Sequence, residues 1–187
     1  AMKAVMFVSN RCNRHGNYLQ DLINRIMHPI GVDSYGKCFN NVKEREHYHY
    51  VGDSAEVSKE LIVSNYKFHI VVENAIVEDY VTEKFYEGLK VPNLMIYLGA
   101  PNIQEYAPWP RSFVNAADFD GPEDLGDYLV ELDTNQTEYD SYMAWRQEPM
   151  APQYKFRKLQ MQNFVRRDGE SWQCRVCSNF VSRFCPD

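Results

Sequence analysis

Phe68-His69-Ile70-Val71-Val72 is a short apolar run of strand length, and it opens through a polar loop onto a helical pattern. In that pattern Val81, Phe85 and Leu89 recur at i, i+4 and i+8, which predicts a helix over about 80–90 with these three facing a sheet. Tyr80, Glu83 and Lys84 stand three and four positions apart, so the same reading puts them together on another face near the helix start. A buried strand feeding a helix in this way is the repeating unit of α/β folds. A first helical turn carrying an acid, a base and a phenol suits an anionic, hydroxyl-rich ligand.

The same alternation recurs along the chain. Ala4-Val5-Met6-Phe7-Val8 reads as a first strand, and the loop Ser9-Asn10-Arg11-Cys12-Asn13-Arg14 follows it. Tyr18, Leu19, Leu22, Ile23 and Ile26 have helical spacing up to Pro29. Val32-Asp33-Ser34-Tyr35 is a second strand closed by Gly36, and residues 37–53 read as a polar loop. A helix over about 54–65 precedes the run at 67–72. Leu94-Met95-Ile96-Tyr97-Leu98 is a further buried strand, residues 102–108 a short helical turn, and Ser112-Phe113-Val114 a last strand. Helices are expected from Gly121-Pro122 through Leu132 and over about 136–147. Strands alternating with helices predict a Rossmann-like, doubly wound parallel sheet over residues 1–150. Residues 151–187 are expected to form a C-terminal helix and a Cys-rich tail.

Composition sets outer limits. The net charge of −6 and pI near 5.4 argue against a non-specific nucleic-acid binder, so no nucleic acid is expected as a partner. No run of about 18 apolar residues is present to span a membrane. The chain reaches its first strand by Val5, an abrupt start expected of a piece of a longer protein. Five cysteines leave one unpaired in any full disulfide scheme. Asn135-Gln136-Thr137 is a glycosylation sequon at Asn135. Sequon and cysteines together lean towards a secretory lumen.

Several motifs resemble the α1,3-fucosyltransferases of glycosyltransferase family 10. Glu73-Asn74 followed by Asp79-Tyr80-Val81-Thr82-Glu83-Lys84-Phe85 matches that family's donor motif. Residues 99–108, starting Gly99-Ala100-Pro101, resemble its Gly-Ala-Pro segment. Ser9-Asn10, Asp33 to Cys38, Ser112-Phe113 and the helix carrying Leu125, Tyr128, Leu129 and Leu132 also fit. Val72 stands where the family has Phe, Ala75 where it has Ser, and Pro92 where Gly is usual, which questions the geometry of that last loop.

The resemblance implies the C-terminal, GDP-fucose-binding half of a GT-B glycosyltransferase that inverts configuration at fucose. Asn74, Tyr80, Glu83 and Lys84 would then contact the donor, Lys84 on the diphosphate. Arg14 is the expected second cation there; ungapped alignment puts His15 at that place instead. The acceptor would be a glycan or glycoprotein hydroxyl. The general base would lie in an N-terminal domain outside this chain, as would any membrane anchor, in a type II protein of the Golgi or ER lumen. No metal cofactor is expected, because cations and a helix N-terminus would neutralise the leaving group. A non-catalytic nucleotide-sugar or glycan-binding module that kept the fold is the alternative.

Cys12 and Cys38 follow adjacent strands of such a sheet, so they could form a disulfide or remain two buried thiols. Cys174-Arg175-Val176-Cys177 resembles the family's structural terminal Cys-x-x-Cys, and a disulfide using two of Cys174, Cys177 and Cys185 is expected there, a zinc site being the alternative. His47 and His49 read as solvated loop residues, and Trp109 as a sugar platform or a loop anchor.

Overall fold

The computed structural model describes residues 3–9, 16–42 and 55–147, all within a compact unit that ends at Pro149. The elements in order are β1 (Ala4–Met6), α1 (Tyr18–Met27), β2 (Val32–Ser34), α2 (Ala55–Val63), β3 (Phe68–Val72) and α3 (Glu83–Lys90). Then come β4 (Leu94–Leu98), β5 (Val114–Asn115), α4 (Pro122–Thr134) and α5 (Gln136–Met143). Single 3-10 turns occupy Ile103–Glu105, Ala116–Asp118 and Ala144–Arg146.

All five strands are parallel, in the order β2-β1-β3-β4-β5. Alternation along each strand divides the core in two. Ala4, Met6, Phe68, Ile70, Leu94 and Ile96 pack on α1 and α4, where Leu19, Leu22, Ile23, Ile26, Leu125, Leu129 and Leu132 are buried. Each of the Met, Phe, Ile and Leu side chains among them contributes about 1.5–3 kcal/mol of gross burial. On the opposite face Val5, Tyr35, Val63 and Val91 form a second cluster. Beside it Phe85 of α3 meets the Tyr97 and Phe113 rings edge-on at 5.1 and 5.2 Å. Helices therefore cover both faces, as the strand burial demands.

The strand order fixes where a ligand can enter. From β1 the chain crosses to β2 on one side, then returns through α2 to β3 on the other side of β1. The connections from β1 and β3 lead to strands on opposite sides, and open α/β sheets bind ligands in the crevice at the carboxyl ends of the strands, at such a switch point. The 73–82 segment leaves β3 directly into it.

Some boundaries differ from the sequence expectation. β1 ends at Met6, although Val8 is buried and its carbonyl accepts from the Cys38 amide at 2.8 Å. The last strand is Val114–Asn115, beginning two residues later and ending one residue later than Ser112-Phe113-Val114 suggested. α5 stops at Met143 and continues only as the 3-10 turn. The largest correction concerns α3, which begins at Glu83 with Thr82 as its N-cap. Tyr80 and Val81 thus precede the helix, and Tyr80 does not share a helical face with Glu83 and Lys84. The reason is Thr82, whose extended backbone, held by Glu73, caps the helix there, while Asp79 at φ 62° turns the chain before it.

Candidate functional site at the carboxyl end of β3

Glu73 directly follows β3 and is fully buried. Its amide donates to Leu98 O at 2.9 Å, prolonging the ladder to β4. Its carboxylate turns under the loop and accepts from the Thr82 amide at 2.9 Å and the Thr82 hydroxyl at 2.7 Å. Lys84 Nζ lies 3.4 Å from the same carboxylate. A buried carboxylate is tolerated because donors and a cation replace its lost water. The Thr82 hydroxyl in turn accepts from the Lys84 amide at 3.4 Å, capping α3. Space for Glu73 comes from Gly99: a Cβ there would lie 2.6 Å from Glu73 Cγ and 2.4 Å from the Tyr97 hydroxyl. That hydroxyl accepts from the Ala100 amide at 3.2 Å, and burial first, then the Glu73 charge, pushes its pKa up.

Lys84 Nζ also donates to Asn74 Oδ1 at 3.3 Å. The ammonium, 28% exposed, thus sits between a buried acid and an exposed amide at the edge of the crevice. Glu83 and Tyr80 are half-buried, and neither the Glu83 carboxylate nor the Tyr80 hydroxyl makes a hydrogen bond or ion pair among the described residues. Four predicted donor contacts, Asn74, Tyr80, Glu83 and Lys84, therefore lie on the segment that leaves β3, with Lys84 and Asn74 in direct contact. Arg14 and His15 fall outside the described residues, as do Cys12, His47, His49, Cys174, Cys177 and Cys185.

Sequence reasoning gave no role to Glu73, although it forms part of the quoted motif. Nor did it use Asn102 and Tyr106, which hold Asp79. The contacts of Glu73 run to positions nine and eleven residues on, a spacing that belongs to no regular element. Pro92 lies at the amino end of β4, opposite the crevice, with Asn93 tying that corner to Val63 O at 2.9 Å. Its departure from the family pattern does not touch the site.

The chain contains an Asp-x-Asp triplet, Asp118-Phe119-Asp120, the pattern with which many glycosyltransferases hold a metal. Asp118 accepts from Asn115 Nδ2 at 3.0 Å within its own turn. Among the described residues no three His, Cys, Asp or Glu side chains are grouped to hold an ion. Asn135 is exposed at the junction of α4 and α5, where its Oδ1 accepts from the Glu138 amide at 3.1 Å. No helix among the described residues is long and apolar enough to cross a membrane. Trp109 is half-buried in the turn whose carbonyl accepts from the Ser112 amide at 3.2 Å.

A doubly wound parallel sheet with a cation and an amide at its switch point defines an α/β ligand-binding domain of Rossmann type. The comparisons with known proteins narrow this. The family described as "Glycosyltransferase family 10 (fucosyltransferase) C-term" matches residues 1–183, and the chain belongs to that family. It is 30% identical to GDP-fucose protein O-fucosyltransferase 3 of Gallus gallus over 93% of this chain and 38% of the relative. It is 28% identical to alpha-(1,3)-fucosyltransferase B of Drosophila melanogaster over 96% of this chain and 43% of the relative. The chain thus spans less than half the length of these relatives. Among solved structures, an alpha1,3-fucosyltransferase crystallised with GDP-fucose superposes with a TM-score of 0.61 at 21% identity, covering 90% of this chain and 48% of that one. The fold is accordingly the Rossmann-like sheet found in GT-B fucosyltransferase structures.

Proposed function

We propose that this chain is the GDP-fucose-binding part of an inverting fucosyltransferase, and that the acceptor is a hydroxyl of a glycan or glycoprotein. The observation that carries the reading is the placement of Lys84: its ammonium is held by Glu73 and Asn74 at the carboxyl end of β3, beside the switch point. A diphosphate entering the crevice meets this ammonium and the N-terminus of α3, a ready anion site. Family membership and the GDP-fucose named for the superposed structure support the choice of ligand.

In the proposed reaction the acceptor oxygen attacks the anomeric carbon of fucose from the side opposite GDP. The bond from that carbon to the phosphate oxygen breaks, and its electron pair leaves on GDP. Lys84 and Arg14 stabilise the charge that develops there, without a metal cofactor. Asn74, Tyr80 and Glu83 hold the donor, the last two on its fucose and nucleotide side. The acceptor proton needs a base. Glu73 is unsuited, because both its oxygens accept from Thr82 and one also meets Lys84. The base is assigned to a part of the full-length protein outside this chain, together with a membrane anchor. We place the protein in the Golgi or ER lumen. The exposed sequon at Asn135 supports this, as does the disulfide-bonded state of Cys38, for which Cys12 is the proposed partner.

Titration calorimetry with GDP and GDP-fucose tests the reading. Loss of a charge-assisted contact of about 1.5–3 kcal/mol makes Lys84→Ala bind GDP about 10–100-fold more weakly than the wild-type chain. No heat of binding for the wild-type chain would overturn it. A full-length protein that binds the donor yet transfers no fucose would be the non-catalytic module instead.

A further inference from the structure

Asp79 is a non-glycine residue in the left-handed region, at φ 62°, in the middle of the segment that leaves β3. Such a backbone is unfavourable for a residue with a side chain and persists only where surrounding contacts enforce it. Here the contacts come from the loop after β4. The Asp79 amide donates to Asn102 Oδ1 at 3.0 Å, and Asn102 Nδ2 returns a bond to Asp79 Oδ1 at 2.8 Å. The Tyr106 hydroxyl donates to the same carboxylate oxygen at 2.6 Å. Asn102 and Tyr106 flank the 3-10 turn Ile103–Glu105, which is anchored by the fully buried Ile103 and by the Tyr106 amide bonding to Ile103 O at 2.8 Å. A rigid support therefore holds the strained residue.

The strain has a local consequence. The Val81 amide donates to Asp79 O at 2.9 Å and the Tyr80 amide to Val77 O at 3.2 Å, so the backbone carrying Tyr80 folds tightly around Asp79. Glu73 closes the segment at its base through Thr82, and Asp79 pins its outer part. The two devices act at different points of the segment. Glu73 holds Lys84, whereas Asp79 sets the backbone from which Tyr80 projects.

We infer that Asp79 is a positioning residue for donor recognition. Clamped by Asn102 and Tyr106, it fixes the backbone at Tyr80 for contact with the sugar, while the diphosphate contact through Lys84 is fixed independently by Glu73. This rests on the proposed GDP-fucose site and adds to it a division of labour between sugar and diphosphate. The clamp lowers the ordering cost of binding, because the segment is already in place before the sugar arrives.

The experiment measures GDP and GDP-fucose affinity by calorimetry for the wild-type chain and for Asp79→Gly, Asp79→Asn, Tyr106→Phe and Lys84→Ala, with melting temperature and amide exchange as fold controls. Glycine keeps the left-handed backbone but drops the carboxylate, whereas asparagine keeps both the backbone tolerance and an acceptor oxygen. Asp79→Gly should bind GDP-fucose about tenfold more weakly while GDP affinity stays within about threefold, with faster exchange at the Tyr80 and Val81 amides. Asp79→Asn should restore binding to within about threefold of wild type. Tyr106→Phe, which leaves the backbone untouched, should weaken GDP-fucose in the same sense and serves if the glycine variant does not fold. Unchanged GDP-fucose affinity in folded Asp79→Gly or Tyr106→Phe overturns the inference, and so does an equal loss of GDP and GDP-fucose. If Lys84→Ala weakens GDP while the Asp79 variants bind normally, only the positioning role fails. A wild-type chain that binds neither ligand overturns the site and the inference together.

Discussion

Replacing Glu73 by glutamine changes two atoms' chemistry and almost no volume, so its effect isolates the buried charge. In the native site the carboxylate accepts from the Thr82 amide at 2.9 Å and the Thr82 hydroxyl at 2.7 Å, and Lys84 Nζ approaches to 3.4 Å. A glutamine can present one oxygen to the Thr82 amide. Its NH₂ then faces the oxygen-seeking side, towards Lys84 Nζ, where two donors oppose each other. One charge-assisted bond is lost, at about 1.5–3 kcal/mol for a buried group. The Lys84 contribution is smaller: that ammonium is 28% exposed and its contact is long, so the pair is worth about 1 kcal/mol or less. Together these predict a loss of about 2–4 kcal/mol for Glu73→Gln. Urea unfolding followed by circular dichroism reads this as a lower midpoint at unchanged slope. Two double-mutant cycles then divide the total. Glu73→Gln with Thr82→Ala should show the larger coupling, and Glu73→Gln with Lys84→Ala the smaller. A Glu73→Gln variant within about 0.5 kcal/mol of wild type would refute the view that Glu73 fixes the start of α3.

Two further substitutions probe how the sheet supports the site. His69 is buried on the face of β3 opposite α1, beside Lys59, Glu60 and Glu87. Burial first, and the Lys59 charge second, lower its pKa to about 3. The unfolded chain binds this proton near pH 6.5 and the folded chain does not, so stability is full above that value and falls as pH drops towards 3. Between pH 7 and pH 5 this amounts to about 2 kcal/mol, which urea midpoints should show for wild type and should not show for His69→Leu. Gly99→Ala pushes a methyl into the Tyr97 hydroxyl and Glu73 Cγ, at 2.4 and 2.6 Å, inside a packed core. It should cost at least about 1–3 kcal/mol in a thermal melt, and a melting temperature equal to wild type would show that Tyr97 can move aside.

The order of elements was legible because strand-length apolar runs alternate with helical spacing, and parallel pairing leaves few ways to connect them. Even the adjacency of β1 and β2 could be anticipated. The start of α3 was not. Val81, Phe85 and Leu89 keep perfect i, i+4 spacing, so periodicity extends the helix back by a turn. Val81 is half-buried for another reason: it lies in the tight turn that Asp79 creates. Spacing records which residues are apolar, not which backbone places them inward. The left-handed conformation of Asp79 is enforced from Asn102 and Tyr106, more than twenty residues away.

Lys84 was singled out and Glu73 passed over for the same physical reason. An exposed cation in a recognisable motif suggests a ligand from its chemistry alone. A carboxylate next to it suggests another ligand contact or a solvated pair, and only burial decides between these and a structural role. Glu73 is at 0% exposure because Gly99 leaves room for it and Thr82 supplies two donors. Each of those residues looks ordinary by itself: a glycine after a strand, a threonine before a helix. Their joint effect is to place a negative charge under the loop that fixes an ammonium at the edge of the crevice. The residue that resembles a binding group most closely thus owes its position to a buried carboxylate. For that reason Glu73→Gln should weaken GDP binding through Lys84, and calorimetry showing unchanged GDP affinity in the folded variant would refute this.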